Sequence, residues 1–117
     1  MVNLSDYICP MVYPSHFVPG TMNFPDPGNH PKEIIAESGK YATQIEDKLH
    51  PIAQYRPWLE DFDYPWGSHP YKYGPDKVQV QIDTADTLGA TGWTLWNATG
   101  EYTESVLAKV GKLALAK

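Results

Sequence analysis

The sequence predicts an α/β domain built from three consecutive strand–helix units with parallel strands. Three observations predict it. Short apolar runs occur at Tyr7–Tyr13, Tyr55–Phe62 and Gly92–Ala98. Each is followed by a stretch whose apolar residues recur at helical spacing, and Pro or Gly punctuates the joins. A strand that alternates with helices pairs in parallel and returns by right-handed crossovers.

The first run, Tyr7-Ile8-Cys9-Pro10-Met11-Val12-Tyr13, reads as a buried strand. Pro10 has no N–H for a ladder, so a bulge or an edge is expected there. Pro14-Ser15-His16-Phe17 follows at the strand's end, and then a long Pro- and Gly-containing loop from Val18 to about Asn29. Loops of that length in a small domain are often functional. Pro31 at the first helical position and Glu33 in the first turn open a helix. Its stripe is Ile34, Ser38, Tyr41, Ile45 and Leu49, widened by Ile35 and Ala42, and Pro51 stops it. The central strand comes next, then the loop from Asp63 to Gly74. A second helix opens at Pro75 with Val78, Ile82, Ala85 and Leu88 on one face, and Gly89 suits a left-handed C-terminal cap. After the third strand, Thr103 can cap a last helix whose apolar face is Val106, Leu107, Val110 and Leu113.

Three parallel strands with helices on one side leave two open edges and one uncovered sheet face. All three helices are needed as an outer layer, and that arrangement is three-eighths of a (β/α)8 barrel. Residues 1–117 are therefore expected to form a single partial-barrel domain, either truncated or completed by association through its open edges.

Composition narrows the function. With 117 residues the chain is one domain at most, and 42% hydrophobic content is that of a globular protein. A net charge of −5 with no basic stripe excludes a nucleic-acid partner. No run approaches the roughly 20 apolar residues of a membrane span. The single Cys9 rules out an internal disulfide. His16, His30, His50 and His69 are scattered without ligand spacing, Asp61-Phe62-Asp63 alone is no calcium loop, and no glycine-rich phosphate motif is present. Neither a metal nor a cofactor is expected. Aromatics are the excess, with eight Tyr and four Trp.

The stretch Tyr55-Arg56-Pro57-Trp58-Leu59-Glu60-Asp61-Phe62 holds a fixed cation and two adjacent carboxylates among aromatics. Strand alternation sends Arg56, Trp58 and Glu60 to one side and Pro57, Leu59 and Asp61 to the other. One reading is an Arg56–Glu60 pair that holds the strand, since buried charge is costly unless paired. The other places Glu60 and Asp61 at the carboxyl end of a parallel strand, where α/β folds set their sites. Adjacent Glu60 and Asp61 point apart, while Asp61 and Asp63 share a side close together on one edge. Trp93 and Trp58 read chiefly as core, whereas Trp96 at a strand end reads equally as ligand-facing. Ser15 and His16 are neighbours without a nucleophile elbow, which favours a structural or substrate-positioning role. Asn97, just past the third strand, suits a hydroxyl partner.

Three motifs in order carry a likeness: Pro10-Met11-Val12-Tyr13-Pro14-Ser15-His16, Arg56-Pro57-Trp58-Leu59-Glu60-Asp61-Phe62 and Gly92-Trp93-Thr94-Leu95-Trp96-Asn97-Ala98, with Gln81-Ile82 and Tyr102-Thr103 between and after them. Together they resemble the C-terminal part of a glycoside hydrolase-like family, a domain of unknown function with a (β/α)8-barrel fold. The likeness spans nearly the whole chain. It implies that the chain corresponds to the last three βα units, with a carbohydrate as partner. Family members often carry Gln at the position of Glu60, and place further acidic residues on earlier strands that have no counterpart in this sequence. It also implies that Tyr13, Ser15, His16, Arg56, Trp96 and Asn97 line a sugar-binding mouth, with Asp61 and Glu60 as candidate catalytic carboxyls. Tyr13, Trp58, Trp96 and Tyr102 would offer aromatic faces to pyranose rings. Glycosidases need two carboxyl groups about 5 to 10 Å apart across the scissile bond, so the chain alone is expected to be inactive. Two rival classes remain open: a self-associating, non-enzymatic α/β interaction protein, and a stand-alone sugar-binding module. The sequence specifies neither the glycan nor the compartment.

Overall fold

Two prolines cut the first two strands, and the cuts lie side by side. In the computed structural model, which describes residues 4–49, 53–67 and 70–115, the first run divides into β1 (Tyr7–Ile8) and β2 (Met11–Val12). The central run divides into β3 (Gln54–Tyr55) and β4 (Trp58–Glu60). β1 pairs with β3, β2 with β4, and β4 with β5 (Thr94–Trp96), all in parallel. Tyr7 lies beside Gln54 and Met11 beside Trp58, each pair 47 residues apart, so the register survives the break. The interruption falls at Cys9-Pro10 and Arg56-Pro57 because neither proline can donate. Trp58 N–H still reaches the Pro10 carbonyl at 2.9 Å, which bridges the gap. The result is a mixed α/β fold with parallel strands in two small sheets, in the orders β1-β3 and β2-β4-β5.

The helices are α1 (Pro31–Leu49), α2 (Pro75–Thr87) and α3 (Glu104–Leu115). Pro31 and Pro75 stand at the helix starts, as their missing N–H and fixed φ favour. Gly89, with φ of +76°, ends α2 in the left-handed conformation. The expected loop from Val18 to Asn29 contains two short 3-10 turns, Thr21–Asn23 and Pro27–Asn29.

Val12, Leu59 and Leu95 are register partners and form one row across the three-stranded sheet. That row packs with Ile34, Ile35, Val78, Ile82, Ala85 and Val106 from the helices into the core. The neighbouring row is Met11, Trp58 and Thr94. Met11 is 72% exposed, and Tyr7 is also exposed, so the expectation of a wholly buried first strand is corrected. A strand buried on both faces needs a layer on each, and the described helices pack against the Val12–Leu59–Leu95 row.

Two helix stripes are narrower than predicted. Tyr41 on α1 and Leu107 on α3 are exposed. Around residue 39, α1 meets α2 through Gly39, where an added Cβ would strike the Leu88 side chain, and this contact favours the Ile34–Ile35 side. The side chains of Ile45, Leu49 and Leu113, and His50, Pro51 and His69 altogether, lie outside the described residues.

Candidate functional site

Every carboxyl group near the end of β4 has a different partner. Asp61 is buried and ties two elements together. Its Oδ2 accepts the Thr103 N–H at 2.8 Å and its Oδ1 accepts the Thr103 hydroxyl at 2.5 Å. The Thr103 carbonyl accepts from Val106 and Leu107 at the start of α3. Thr103 therefore stands where the cap was expected, but its hydroxyl is spent on Asp61. The Asn97 amide donates to the Asp61 carbonyl at 2.5 Å and to the Glu101 carbonyl at 2.9 Å, while its Oδ1 accepts from Thr99. Asp63 accepts the Tyr73 N–H at 2.8 Å and so fixes the return of the β4–α2 loop.

Glu60 is different. It has no solvent-exposed surface, and its Oε2 accepts the Ser15 backbone N–H at 3.0 Å. Its Oε1 makes no well-formed hydrogen bond. The hydroxyls of Ser15 and Tyr73 and the Lys77 ammonium lie near enough to favour the carboxylate, yet burial outweighs them and raises the Glu60 pKa to about 7. Tyr73, whose hydroxyl donates to the Gly28 carbonyl at 2.9 Å, is pushed up by burial and then by Glu60. Tyr13 is raised for the same reasons in the same order, and Lys77 is lowered by burial against the pull of Glu60, Asp26 and Asp63. Lys77 also donates to Asn29 at 2.7 Å and sits 5.0 Å over the Tyr73 ring.

The anticipated Arg56–Glu60 pair does not form. The two are four residues apart along extended chain, about 13 Å, which is beyond the reach of a direct pair. Arg56 is exposed and lies 5.9 Å over the Tyr7 ring, beside Gly92, toward the amino ends of the strands.

The remaining candidates divide into two groups. Tyr13, His16, Phe62 and Tyr64 form a chain of edge and tilted ring contacts at 5.3–5.6 Å, which Trp66 extends at 5.5 Å from Tyr64. Trp96 belongs elsewhere, packed edge-on against Trp58 at 5.9 Å on the open side of the sheet. Ser15 joins the first group to Glu60. The structure thus brings Tyr13, Ser15, His16 and Glu60 together, sets Asp61, Asn97 and Trp96 at the neighbouring strand end, and leaves Arg56 apart.

Residues 1–102 match the family described as "putative glycosyl hydrolase domain". The chain belongs to that family. No curated protein and no solved structure matches it. In this glycosyl hydrolase-like domain, sequence reasoning had singled out neither Gln81, Tyr73 nor Trp66 for a role. Gln81 did leave a signal. It falls between Val78, Ile82 and Ala85 on the apolar stripe, where a polar residue implies a buried partner. Trp66 and Tyr73 left none, since loop aromatics follow no periodicity.

Proposed function

We propose that this chain forms one wall of the carbohydrate-binding cleft of a glycoside hydrolase, with Glu60 as its proton-handling carboxyl. One observation carries the reading: a buried carboxyl poised near neutrality, at the carboxyl end of a parallel strand and beside a cluster of aromatic rings. General acid catalysis of glycoside cleavage requires a carboxyl that is still protonated near neutral pH and that touches the leaving oxygen. Glu60 has no exposed surface in this conformation, so the role requires the packing of Ser15 and Tyr73 around it to open when the sugar binds. In such a step the glycosidic C–O bond breaks, the acid's proton passes to the leaving oxygen, and water adds to the anomeric carbon with loss of a proton to a second carboxylate.

The same reading takes β2–α1, β4–α2 and β5–α3 as three successive units of a (β/α)8 barrel, which the consecutive strand order β2-β4-β5 supports. Tyr13, Ser15, His16, Trp96 and Asn97 line the mouth, Arg56 serves the opposite end, and Asp61 holds the rim. Asp61 and Asp63 are bound to backbone N–H groups of Thr103 and Tyr73, so neither is free to be the second carboxylate. The isolated chain is accordingly inactive. The purified 117-residue chain is expected to bind at least one member of a panel of malto-, cello-, xylo- and chito-hexaose, read by Trp fluorescence, and to hydrolyse none. Turnover that vanishes in Glu60→Gln or Asp61→Asn overturns inactivity; a panel without any binder overturns the carbohydrate reading.

A second reading has its own observation. Tyr7, Met11 and Trp96 are exposed on or beside the sheet, so a second copy can close the open face. Light scattering on the eluting chain is expected to give a dimer or larger if this holds, and a monomer at micromolar concentration rejects it.

A further inference from the structure

The β4–α2 loop carries a feature that the cleft wall as described leaves unused. Tyr64 and Tyr71 exchange both backbone hydrogen bonds, at 2.9 and 2.7 Å, and close the loop into a small antiparallel bridge. Tyr71 is buried against Gly28, where an added Cβ would come within 2.7 Å of its ring, so the bridge is seated on the body of the domain by a contact that only glycine permits. Tyr73 and Asp63 fasten the next turn of the same loop. At the end of this anchored bridge Trp66 is 65% exposed. Val18, 71% exposed, lines the same groove as this ring, so the exposed indole is part of an apolar patch and not a single ring.

Facing it is the segment after β2. Between them runs an open groove of about 440 Å³, lined by Ser15, His16, Val18, Tyr64, Trp66 and Tyr71 among others. Small-molecule sites usually measure roughly 300–1,000 Å³ and pair apolar walls with a few convergent polar groups. A polar group is present here. His16 lies exposed on the wall, while the Ser15 hydroxyl is buried and turned to Glu60. Ser15 is also the residue whose N–H holds Glu60.

We propose that this groove is a pyranose subsite, in which the Trp66 indole stacks on the apolar face of one sugar ring and the exposed His16 imidazole hydrogen-bonds to a ring hydroxyl. The proposal rests on the carbohydrate reading above and adds the place and the platform. An aromatic face matches the axial C–H side of a pyranose, and a polar imidazole on the facing wall matches its equatorial rim. A polyproline segment would also lie on Tyr and Trp, but the glycosyl hydrolase family to which residues 1–102 belong favours the sugar.

Titrating the chain with the same hexaose panel, by calorimetry, tests this. Trp66→Ala is expected to weaken the best binder by about tenfold or more, with Trp66→Phe recovering part of the loss and Tyr41→Ala, which removes an exposed ring on α1, leaving affinity within about twofold. Because Trp66 is exposed, its removal leaves the core intact, and an unchanged circular dichroism spectrum checks that. Affinity lost in Trp96→Ala but kept in Trp66→Ala overturns the subsite and leaves the carbohydrate reading standing. Binding of decaproline in place of every hexaose overturns the subsite as a sugar site, and a wild-type chain that binds no hexaose overturns both.

Discussion

Glu60→Gln is expected to make the protein more stable above neutral pH and to remove most of its loss of stability between pH 5 and 8. The Glu60 pKa rises from 4.5 to about 7 on folding, and burial is the principal cause. The folded state therefore binds the proton more tightly than the unfolded chain. The corresponding stability is fully present below about pH 4.5 and is lost as pH rises through about 7. At 1.36 kcal/mol per unit this amounts to something on the order of 3 kcal/mol, a large share of the 5–15 kcal/mol typical of a domain. Gln keeps the shape and an oxygen for the Ser15 N–H, carries no charge at any pH, and turns an N–H2 toward the position of the unsatisfied Oε1. Tyr13 and Tyr73 are raised from 10.0 and titrate above this window. Urea unfolding at pH 5, 6, 7 and 8 measures the effect. Two curves of stability against pH that run parallel, parent and variant, would mean that Glu60 is charged in the fold and that the proton-handling role fails with it.

The strand–helix order was legible because it is written locally. Helical spacing, Pro at helix starts and Gly89 after α2 each act within a few residues; the structure keeps the helices, their Pro starts and the Gly89 end, with stripes narrower than the spacing predicts. Pro10 was legible as a fault in a strand. That Pro57 would lie opposite it was not, because the 47-residue register is set by pairing between distant segments. A short apolar run also cannot say whether both its faces are covered. Met11 is apolar and exposed for that reason: the row it shares with Trp58 and Thr94 faces away from the helices that bury Val12, Leu59 and Leu95.

The site divides in the same way. Ser15 and Glu60 were each visible as candidates, but the bond between them spans 45 residues, and no spacing rule reaches that far. Asp61 looked like chemistry because it sits beside Glu60 at a strand end. Its partner Thr103, 42 residues on, turns it into a fastener between β4 and α3. An Arg56–Glu60 pair looked reasonable from charge and face alone, and the rise per residue of extended chain defeats it. Residue type identified which groups are costly to bury; only tertiary contacts decide which of them are left with protons to exchange.

Gln81 is where the fold and the site depend on one side chain. It is fully buried on α2, accepts the Glu60 N–H at 3.0 Å through Oε1 and donates to the Glu60 carbonyl at 2.8 Å through Nε2. One amide thus serves both backbone groups of Glu60 and sets the height of its carboxyl against Ser15. Gln81→Met preserves volume but removes both partners, stranding a buried donor and a buried acceptor at about 1–3 kcal/mol each. The expected loss is about 2–6 kcal/mol by urea unfolding, and hydrogen exchange at the Glu60 amide should accelerate beyond what the global loss explains. Gln81→Glu separates the two bonds. It keeps the acceptor when ionised, surrenders the donor, and sets a second carboxyl beside the Glu60 backbone, so it should be the less stable variant at pH 8 and recover toward pH 5. A Gln81→Met protein within about 0.5 kcal/mol of the parent, the range of an ordinary surface substitution, would show that the Glu60 backbone finds other partners. The carboxyl would then owe its position to Ser15 and the strand alone.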